Sequence, residues 1–517
     1  MEDFYPEIPL MSDSKRIAKN TIFLYIRMLV LMLVSLYTSR VVLAALGVED
    51  YGIYNVVGGI VVLFTFINNA MVTSTQRYLN YELGRNDLQQ AKKVFSISLN
   101  IHILIALVIL LLAETIGLWL LNTTIQYPAS RELAVQITYQ LSILTTCVKI
   151  IRAPYNAAII AYERMSFYAY LSILEAVLQL GIAFLLIACN SDRLILYSIL
   201  LCLVAIVVNL CYYAYCRTKF DICSYKLYRD KSLYRQLLSF SGWSLFGSVA
   251  NVGATQGLNM LLNVFFGVTV NAAMGIATQV NTAVASFVSS FQTAFNPQIV
   301  KSYAAGDYGY FIKLILSTSK YSYLLLFILA FPIYVCCPEV LSIWLTEVPD
   351  YAVLFSRLML IFALLDALQG PLWYSVQATG KIKTYQILMS FMILANLPIA
   401  YVCLKLGYSP SSVLAVRCII NLATLFVRLW YLNRLYKFPV MEFVHGVICR
   451  IAPITMVTYL ITYIPVETTT PLIKIVVIVT MSIVANIILI PLIGLNKDER
   501  LVVGRNIKRL YEKYRRG

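Results

Sequence analysis

Residues 194–216 read LILYSILLCLVAIVVNLCYYAYC and contain no charged side chain. A transmembrane helix needs roughly 20 consecutive, mostly apolar residues, so this stretch predicts a helix that crosses a lipid bilayer. Further runs of the same kind, separated by short loops, occupy 21–46, 53–79, 94–121, 133–160, 167–189, 240–266, 271–298, 311–337, 351–378, 384–406, 410–433, 447–465 and 471–493. The sequence therefore predicts an all-α integral membrane protein with about fourteen transmembrane helices.

The composition of the 517-residue chain agrees with this prediction. Hydrophobic residues make up 60% of the chain, charged residues only 13%, and the mean hydropathy is +0.77. A soluble domain usually carries about 25% charged residues. The formal net charge of +16 would fit a nucleic-acid-binding protein. It fits equally well a membrane protein, whose cytoplasmic loops collect Lys and Arg.

The positions of the basic residues decide between these two interpretations. When the N-terminus is placed in the cytoplasm, most Lys and Arg residues between the predicted spans fall in cytoplasmic loops and in the C-terminal tail. The outer loops then hold only Arg131, Arg193, Lys405 and Lys474. The positive-inside rule thus predicts cytoplasmic N- and C-termini, and the net charge needs no nucleic acid. Residues 1–20 lack a signal-peptide pattern, so we expect the first apolar run to be an uncleaved span.

Two segments of the chain indicate an internal repeat. LGVEDYGIYNVVGGIV begins at Leu46 and FGVTVNAAMGIATQVN begins at Phe266, and Gly47 aligns with Gly267 at an offset of 220 residues. The same offset aligns three further pairs, which are Thr73 with Thr293, Asp87 with Asp307, and Lys93 with Lys313. Six spans separate the copies, so both copies face the same way. Parallel repeats of this kind build transporters with a substrate site between the two halves.

The repeat predicts how the chain is organised. We expect two parallel six-helix lobes, a basic cytoplasmic linker between them, two extra C-terminal spans and a basic cytoplasmic tail. Their predicted limits are 1–216 for the N-terminal lobe, 217–239 for the linker, 240–435 for the C-terminal lobe, 436–495 for the extra spans and 496–517 for the tail.

The fourth span carries the clearest polar stripe. Ser142, Thr145, Lys149, Arg152 and Asn156 follow one another at spacings of three and four residues, so they share one face of a helix. Charged side chains inside a span cost a few kcal/mol in lipid and usually face protein or water. This stripe therefore indicates either a substrate cavity or a set of structural pairs.

Other polar residues lie within predicted spans. Arg27 and Arg40 in the first span either face a cavity or extend to the membrane surface, whereas Lys320, Arg357 and Arg428 are expected to extend to the surface. Charge-free polar faces in the seventh and eighth spans indicate cavity lining or helix packing. Their candidate lining residues are Asn251, Thr255, Thr278 and Thr282.

Two acidic residues inside spans are candidates for coupling transport to Na+ or H+, and no other cofactor is expected. These residues are Glu175 in the fifth span and Asp366 in the tenth. Intramembrane acids often serve as ion or proton relays, although each could instead pair with a buried arginine. Basic residues outnumber acids within the spans, which favours an anionic substrate because guanidinium groups pair well with phosphate.

The same sequence argues against a metal site or an enzyme. The cysteines form no CxxC pair, and the two histidines, His102 and His445, are far apart. A membrane enzyme would carry catalytic groups in a sizeable loop, and the connections are too short for one. A purely structural scaffold would leave the polar stripe of the fourth span without a purpose.

The first two spans resemble those of bacterial O-antigen and polysaccharide flippases. The resemblance lies in residues 20–61, NTIFLYIRMLVLMLVSLYTSRVVLAALGVEDYGIYNVVGGIV, with Ser39-Arg40, Leu46-Gly47 and the run from Asp50 to Tyr54. These flippases belong to the multidrug/oligosaccharidyl-lipid/polysaccharide (MOP) exporter superfamily. The parallel repeat with two extra spans is similar to the lipid-linked branch of that superfamily.

This resemblance implies a function, which we state as an expectation. The substrate would be an undecaprenyl-diphosphate-linked oligosaccharide, an O-antigen or capsule repeat unit, turned from the cytoplasmic to the periplasmic leaflet of the bacterial inner membrane by alternating access. Arg40 and Arg27 would face the cavity and bind diphosphate, and Lys149, Arg152 and Asn156 are our own additions to that site. Expected partners are membrane lipids, a polysaccharide polymerase and glycosyltransferases.

A cation-coupled multidrug antiporter of the same superfamily is the main alternative. Such a protein needs acids that face a mostly apolar cavity. Glu175 and Asp366 meet part of that requirement, while the excess of intramembrane bases argues against it.

Overall fold

The structure is a computed structural model that describes residues 13–63, 66–123, 128–188, 192–345, 347–462, 470–496 and 499–500. Within these ranges it is almost entirely helical and contains no β-strand. Together with eleven helices that are long and apolar enough to cross a membrane, this confirms the prediction of an all-α integral membrane protein.

Eighteen α-helices lie within the described residues, and most are as long as a membrane span. They are α1 (Asp13–Leu63), α2 (Phe66–Gly84), α3 (Leu88–Leu112), α4 (Leu118–Thr123), α5 (Glu132–Ala161), α6 (Met165–Ala188), α7 (Arg193–Lys219), α8 (Lys231–Phe266), α9 (Val268–Ala304), α10 (Tyr308–Val335), α11 (Cys337–Trp344), α12 (Ala352–Thr379), α13 (Lys383–Leu394), α14 (Asn396–Lys405), α15 (Ser411–Tyr436), α16 (Val440–Phe443), α17 (Cys449–Thr462) and α18 (Pro471–Leu489). Short 3-10 turns at Ala129–Arg131 and Asp221–Cys223, and π-helical turns at Ala113–Gly117, Val444–Ile448 and Ile490–Gly494, join or extend them.

Eleven of the fourteen predicted spans correspond to the strongly apolar helices of the described ranges. The other three, 53–79, 240–266 and 271–298, do not correspond to any of these helices. The last two correspond to α8 and α9, which are 36 and 37 residues long. A helix rises about 1.5 Å per residue, so either one exceeds the roughly 30 Å of a bilayer core. Their Ser, Thr, Asn and Gly residues lower the mean hydropathy without shortening the helix. The architecture is therefore compatible with about fourteen spans.

The backbone confirms the internal repeat. Gly47 and Gly267, the first aligned pair, have φ angles of 79° and 77°. Asn86 and Gly306, also 220 residues apart, have φ angles of 57° and 77°. Left-handed backbone is rare outside glycine and asparagine. The same unusual conformation at the same offset therefore places equivalent bends in both repeats.

Two more left-handed residues lie in corresponding turns of the two repeats, 217 and not 220 residues apart. Glu163, in the turn between α5 and α6, has a φ of 57°, and Gly380, in the turn between α12 and α13, has a φ of 74°. A glutamate in this conformation is uncommon and costs energy that the surrounding structure must offset. The contacts that hold Glu163 are described below.

The described helices form two compact units. The first comprises Met1–Ser248 together with Thr293–Asp307 and Gln377–Lys383, and the second comprises Val249–Gln292, Tyr308–Val376 and Thr384–Gly517, in each case as far as the residues are described. Short segments of α9 and α12 from the second repeat thus join the first unit. The lobe, linker and tail limits derived from the sequence remain predictions.

In the first unit, α1 packs closely against α6 and α7. Val42 and Ala45 of α1 are buried with Ala183 and Leu186 of α6. At one end of this bundle Arg131 pairs with Asp50 at 2.6 Å and with Asp192 at 2.5 Å. Burial raises the pKa of Asp192, but Arg131 and the amide groups of α7 together hold that pKa below its usual range. Asp50, one of the residues that carry the resemblance, thus joins α1 to the segments preceding α5 and α7.

In the second unit, α8 and α9 pack with α12, α14 and α15. Leu258, Met274, Phe355 and Leu414 are all almost fully buried in this core. A Cβ added to Gly257 of α8 would lie 2.6 Å from a methyl carbon of Leu397. Glycine at this position therefore lets α8 approach α14 closely.

Candidate functional site

The first unit contains a cavity of about 190 Å³, which we call the N-terminal cavity. One face of α5 supplies Ser142, Thr145 and Lys149, so the polar stripe of the fourth span does line a cavity over part of its length. The complete lining is Tyr54, Gly58, Leu141, Ser142, Thr145, Thr146, Lys149, Glu175, Gln179, Tyr197, Ser198, Leu201 and Ala205.

Glu175 of the N-terminal cavity forms an ion pair with Arg152, which is not itself among the lining residues. Arg152 Nη1 lies 3.0 Å from Glu175 Oε2, and both side chains are largely buried, at 18% and 17% exposure. The Arg152 guanidinium also lies 5.2 Å from the centre of the Tyr212 ring. Glu175 is therefore neutralised by its neighbour, whereas Lys149 has an exposed side chain on the cavity wall.

Asn156 and the two first-span arginines lie outside this lining. Asn156 is half-buried, and its Oδ1 finds no hydrogen-bond partner among the described residues. Arg27 is half-buried with its guanidinium 4.4 Å from the centre of the Tyr168 ring. Arg40 is exposed on α1. The structure thus brings Lys149, Arg152 and Glu175 together but places Arg27, Arg40 and Asn156 elsewhere.

The second unit contains a cavity of about 80 Å³, the C-terminal cavity. Helices α8, α12, α13, α14 and α15 surround it, and Asp366 is exposed to it. The lining is Asn251, Ala254, Thr255, Leu258, Phe362, Asp366, Gln369, Met389, Ile393, Asn396, Arg417, Ile420, Asn421, Thr424 and Arg428.

Asp366 is the one carboxylate that the described residues contribute to that lining, and it lies among groups that compensate its charge. Arg428, Arg417 and Asn421 are near enough to influence its charge. Gln369 donates to Asn421 Oδ1, and Arg428 Nη1 donates to the Gln369 carbonyl at 2.8 Å. The surroundings of the carboxylate therefore contain more donors than acceptors.

Arg417 supplies a donor that this network does not use. Its guanidinium packs 4.3 Å from the centre of the Phe362 ring, and its buried Nη1 finds no acceptor in the described part of the chain. A buried guanidinium donor without a partner costs free energy. An anionic or carbonyl group in the cavity would supply the missing acceptor.

The remaining predicted lining residues divide into two pairs. Asn251 and Thr255 of α8 line the C-terminal cavity. Thr278 and Thr282 of α9 do not, and their hydroxyls donate to the carbonyls of Met274 and Thr278, each at 2.8 Å. Back-bonding of this kind satisfies a hydroxyl inside a membrane helix.

Three basic residues that we expected to extend to the membrane surface have partners in the protein instead. Arg428 lines the C-terminal cavity, and Arg357 Nε donates to the Tyr334 carbonyl at 3.0 Å, near the end of α10. Lys320 is 1% exposed and pairs with Glu499 at 2.6 Å. Helix-end carbonyls and an acid of the C-terminal region thus replace water as their partners.

Two turns joining helices carry contacts that the sequence analysis did not single out. In the α5–α6 turn, Glu163 is 2% exposed, forms an ion pair with Arg16 at 2.8 Å and accepts from Lys301 Nζ at 2.6 Å. Gln298 also donates to both carboxylate oxygens, at 2.8 and 2.7 Å. Three side chains that converge on one buried carboxylate offset the strain of the left-handed Glu163.

The equivalent α12–α13 turn is held by a cation. Arg77 of α2 donates from Nε to the Gln377 carbonyl at 3.0 Å and from Nη2 to the Ala378 carbonyl at 2.8 Å. A Cβ at Gly380 would lie 2.8 Å from Arg77 Nη2. In each repeat the turn therefore contacts the other repeat's copy of one helix, α9 in one case and α2 in the other. No sequence pattern marks the positive φ of Glu163, so only its charge could have drawn attention to this turn.

The comparisons with known proteins concern the fold. No protein-family profile matches the sequence, and no curated protein matches it. Solved structures do match, among them an outward-facing multidrug resistance MATE family transporter of the MOP superfamily, with a TM-score of 0.72 at 15% identity over 83% of this chain and 97% of that one. A MATE structure in the straight conformation gives 0.69 at 16% identity over 82% and 96%.

A third match adds a variation on the same fold. A MOP superfamily transporter from Pyrococcus furiosus, described as having a binding pocket of reverse polarity, gives a TM-score of 0.68 at 16% identity over 82% of this chain and 96% of that one. At these identities the likeness concerns the fold and not the substrate. The chain therefore has the fold of the MATE transporters of the MOP superfamily.

Proposed function

We propose that the protein is a cation-coupled antiporter that exports an organic solute across the bacterial inner membrane. Its fold is that of MATE transporters, some of which are described as multidrug resistance proteins. The observation that carries the proposal is Asp366, a carboxylate within a polar cavity of the second unit. Intramembrane acids of this kind are the usual groups for ion coupling.

Asp366 can couple ion and solute because both can compete for the same carboxylate. Its negative charge lies at the surface of the C-terminal cavity. Binding of H+ or Na+ neutralises that charge and removes the partner that a cationic group of the solute would use. One cation and one solute thus alternate at Asp366, as antiport requires.

The test is transport by purified protein in liposomes under an imposed Na+ or H+ gradient. We expect gradient-driven transport of cationic dyes to fall at least about tenfold in Asp366→Asn, which corresponds to about 1.4 kcal/mol. Glu114→Gln removes a carboxylate that accepts from Gln140 near the end of α3 and serves as the matched control. Undiminished transport by Asp366→Asn would exclude coupling through this residue.

A second candidate function is the translocation of a lipid-linked oligosaccharide. The supporting observation is the excess of cations in the two cavities, where Lys149, Arg152, Arg417 and Arg428 accompany only two carboxylates among the described residues. The unused Arg417 donor would suit a diphosphate, and Arg40 and Arg27 would act as the sequence resemblance implies. Polysaccharide polymerases and glycosyltransferases would then be partners in the same pathway.

Complementation separates the two functions. The gene is expressed in a strain that lacks its own O-antigen flippase, and polymeric surface glycan is measured. Restored glycan that is lost again in Lys149→Ala would support the flippase. Absence of glycan, together with cation-driven dye efflux from the same cells, would support the antiporter.

A further inference from the structure

A basic, aromatic cleft lies in the first unit, apart from both cavities. It is open to one side and has a volume of about 330 Å³, and its lining includes three aromatic residues, Tyr78, Phe240 and Trp243, and three basic residues, Arg235, Lys381 and Lys383. The described residues that line it include no carboxylate. The cleft is thus a concave surface on which three positive charges lie close to three aromatic rings.

The aromatic wall is a built structure. Arg235, Phe240 and Trp243 follow the same side of α8, and the Tyr78 and Phe240 rings meet edge-to-face with centroids 5.9 Å apart. Lys383 Nζ lies 5.2 Å from the centre of the Trp243 ring. Behind them, Arg77 fixes the α12–α13 turn through the two carbonyl hydrogen bonds described above. The turn that presents Lys381 and Lys383 is therefore held in place.

The three cations have no counterion within the described part of the chain. Arg235, Lys381 and Lys383 are exposed, and no ion pair joins any of them to an acid in the described residues. Like charges in one cleft repel each other, and an anion between them removes that repulsion. The cleft therefore favours an anionic ligand, and Arg and Lys donors suit phosphate.

The position of the cleft relative to the spans identifies the source of that phosphate. Trp243 and Phe240 stand at the start of the predicted span 240–266, Lys383 immediately precedes the span 384–406, and Tyr78 ends the span 53–79. All three span ends face the cytoplasm in the predicted topology. Trp and Tyr are enriched where a membrane protein meets the lipid headgroups, and basic pockets at the cytoplasmic side bind anionic headgroups.

We propose that this cleft binds the phosphate headgroup of an anionic membrane phospholipid, with Arg235, Lys381 and Lys383 contacting the phosphate and Trp243 packing beside the glycerol and upper acyl chains. The site is separate from the transported solute and does not depend on which solute that is. It makes the protein sensitive to the anionic lipid content of the cytoplasmic leaflet.

Binding of defined lipids to the full-length protein in detergent tests the proposal. The probes are phosphatidylglycerol, zwitterionic phosphatidylcholine and soluble glycerol 1-phosphate, and bound lipid is counted by native mass spectrometry. We expect one phosphatidylglycerol to be retained in preference to phosphatidylcholine. The triple variant R235Q/K381Q/K383Q should weaken its binding at least about tenfold, since each basic residue near the surface contributes attraction to anionic lipid.

The matched control removes the same charge from the same predicted side of the membrane. K219Q/K226Q/R229Q changes three exposed residues outside the cleft and should leave phosphatidylglycerol binding within about twofold of the wild type. If both triple variants lost the same amount of phosphatidylglycerol binding, the attraction would come from the overall positive charge and the proposal would be wrong. The proposal would also be wrong if R235Q/K381Q/K383Q bound phosphatidylglycerol as tightly as the wild type. Size-exclusion chromatography checks that each variant is folded.

The source of the phosphate is tested separately. Trp243→Leu should weaken phosphatidylglycerol binding and leave glycerol 1-phosphate binding unchanged, because only the lipid has chains that meet the indole. If glycerol 1-phosphate binds as tightly as the lipid and displaces it fully, the cleft is a site for a soluble phosphate and the lipid assignment is wrong.

Discussion

Corresponding helices of the two repeats supply most of each cavity wall, α5, α6 and α7 in the first and α12, α13, α14 and α15 in the second, yet the cavities hold their acids in different ways. In the N-terminal cavity Glu175 pairs with Arg152 at 3.0 Å. In the C-terminal cavity Asp366 is exposed to the cavity and shared among Arg417, Arg428 and Asn421. The repeat thus preserves the helical frame, while the charges in the two cavities have diverged.

This difference indicates separate roles for the two acids. A one-to-one ion pair between largely buried groups has little capacity to exchange partners, because breaking it leaves an uncompensated charge. A carboxylate with several partners at a cavity surface can lose one and keep the others. We therefore assign the structural role to Glu175 and the exchanging role to Asp366.

The largest expected effect is a difference in the free energy of unfolding between variants of the two acids, Glu175 and Asp366. Glu175→Gln leaves Arg152 without its anion, and we expect the free energy of unfolding to fall by about 3 kcal/mol. The double variant R152M/E175L should recover most of that loss, because it removes both charges. Asp366→Asn should change stability by less than about 1 kcal/mol, since Arg428 keeps its bond to the Gln369 carbonyl. Unfolding in a denaturing detergent measures all three.

If Asp366→Asn proved more destabilising than Glu175→Gln, the two roles would have to be exchanged. A double variant as unstable as Glu175→Gln alone would show that packing, and not the unpaired arginine, causes the loss.

A smaller effect concerns a third acid, Glu499, which pairs with Lys320 at 2.6 Å. Burial raises the pKa of Glu499, but the Asn496 amide and Lys320 lower that pKa by a larger amount. The folded-state pKa is therefore below the usual value of 4.5. A depressed acid pKa stabilises the fold above the unfolded value and loses that contribution as the pH falls through the folded value. The wild type should therefore lose stability from about pH 4.5 downward.

Glu499→Gln supplies the comparison, because it cannot titrate. We expect it to be less stable than the wild type at neutral pH and to show a flatter decline in acid, with the thermal midpoint measured across the pH range. Parallel pH profiles for the two proteins would show that this pair contributes nothing to the pH dependence.

The smallest effect is expected for Thr282, a polar residue that lines neither cavity. Its hydroxyl donates to the Thr278 carbonyl of its own helix at 2.8 Å. Thr282→Val keeps the shape of the side chain and should change both stability and transport rate only slightly, with stability within about 0.5 kcal/mol. A large loss of transport would place α9 at the substrate path and would extend the comparison beyond the two cavities.

The fold could be predicted because its evidence is local and repeated. Runs of apolar residues such as 194–216 indicate spans by themselves, and Gly47 and Gly267 mark the same bend twice. The polar stripe of α5 also predicted a cavity face, since helical spacing fixes which side chains share a side.

The pairing of charges could not be predicted, because each pair joins distant parts of the chain. Lys320 reads as a residue near a span end, and only the three-dimensional structure brings Glu499 to it across 179 positions. Arg428 likewise reads as a surface residue until the Gln369 carbonyl supplies its partner. Helical spacing gives the direction of a side chain but not the identity of the group that it meets.

The two left-handed turns at Glu163 and Gly380 imply opposite patterns of tolerance to mutation. At position 380 the backbone and the nearby Arg77 both exclude a side chain, so every substitution should be selected against for steric reasons. At position 163 the backbone conformation would favour glycine, yet glycine would remove the carboxylate that contacts Arg16, Gln298 and Lys301. If both codons are randomised and folded protein is selected, Gly380 should be retained because a side chain does not fit there. Glu163 should be retained because its carboxylate binds cations, although both residues occupy corresponding turns of the two repeats.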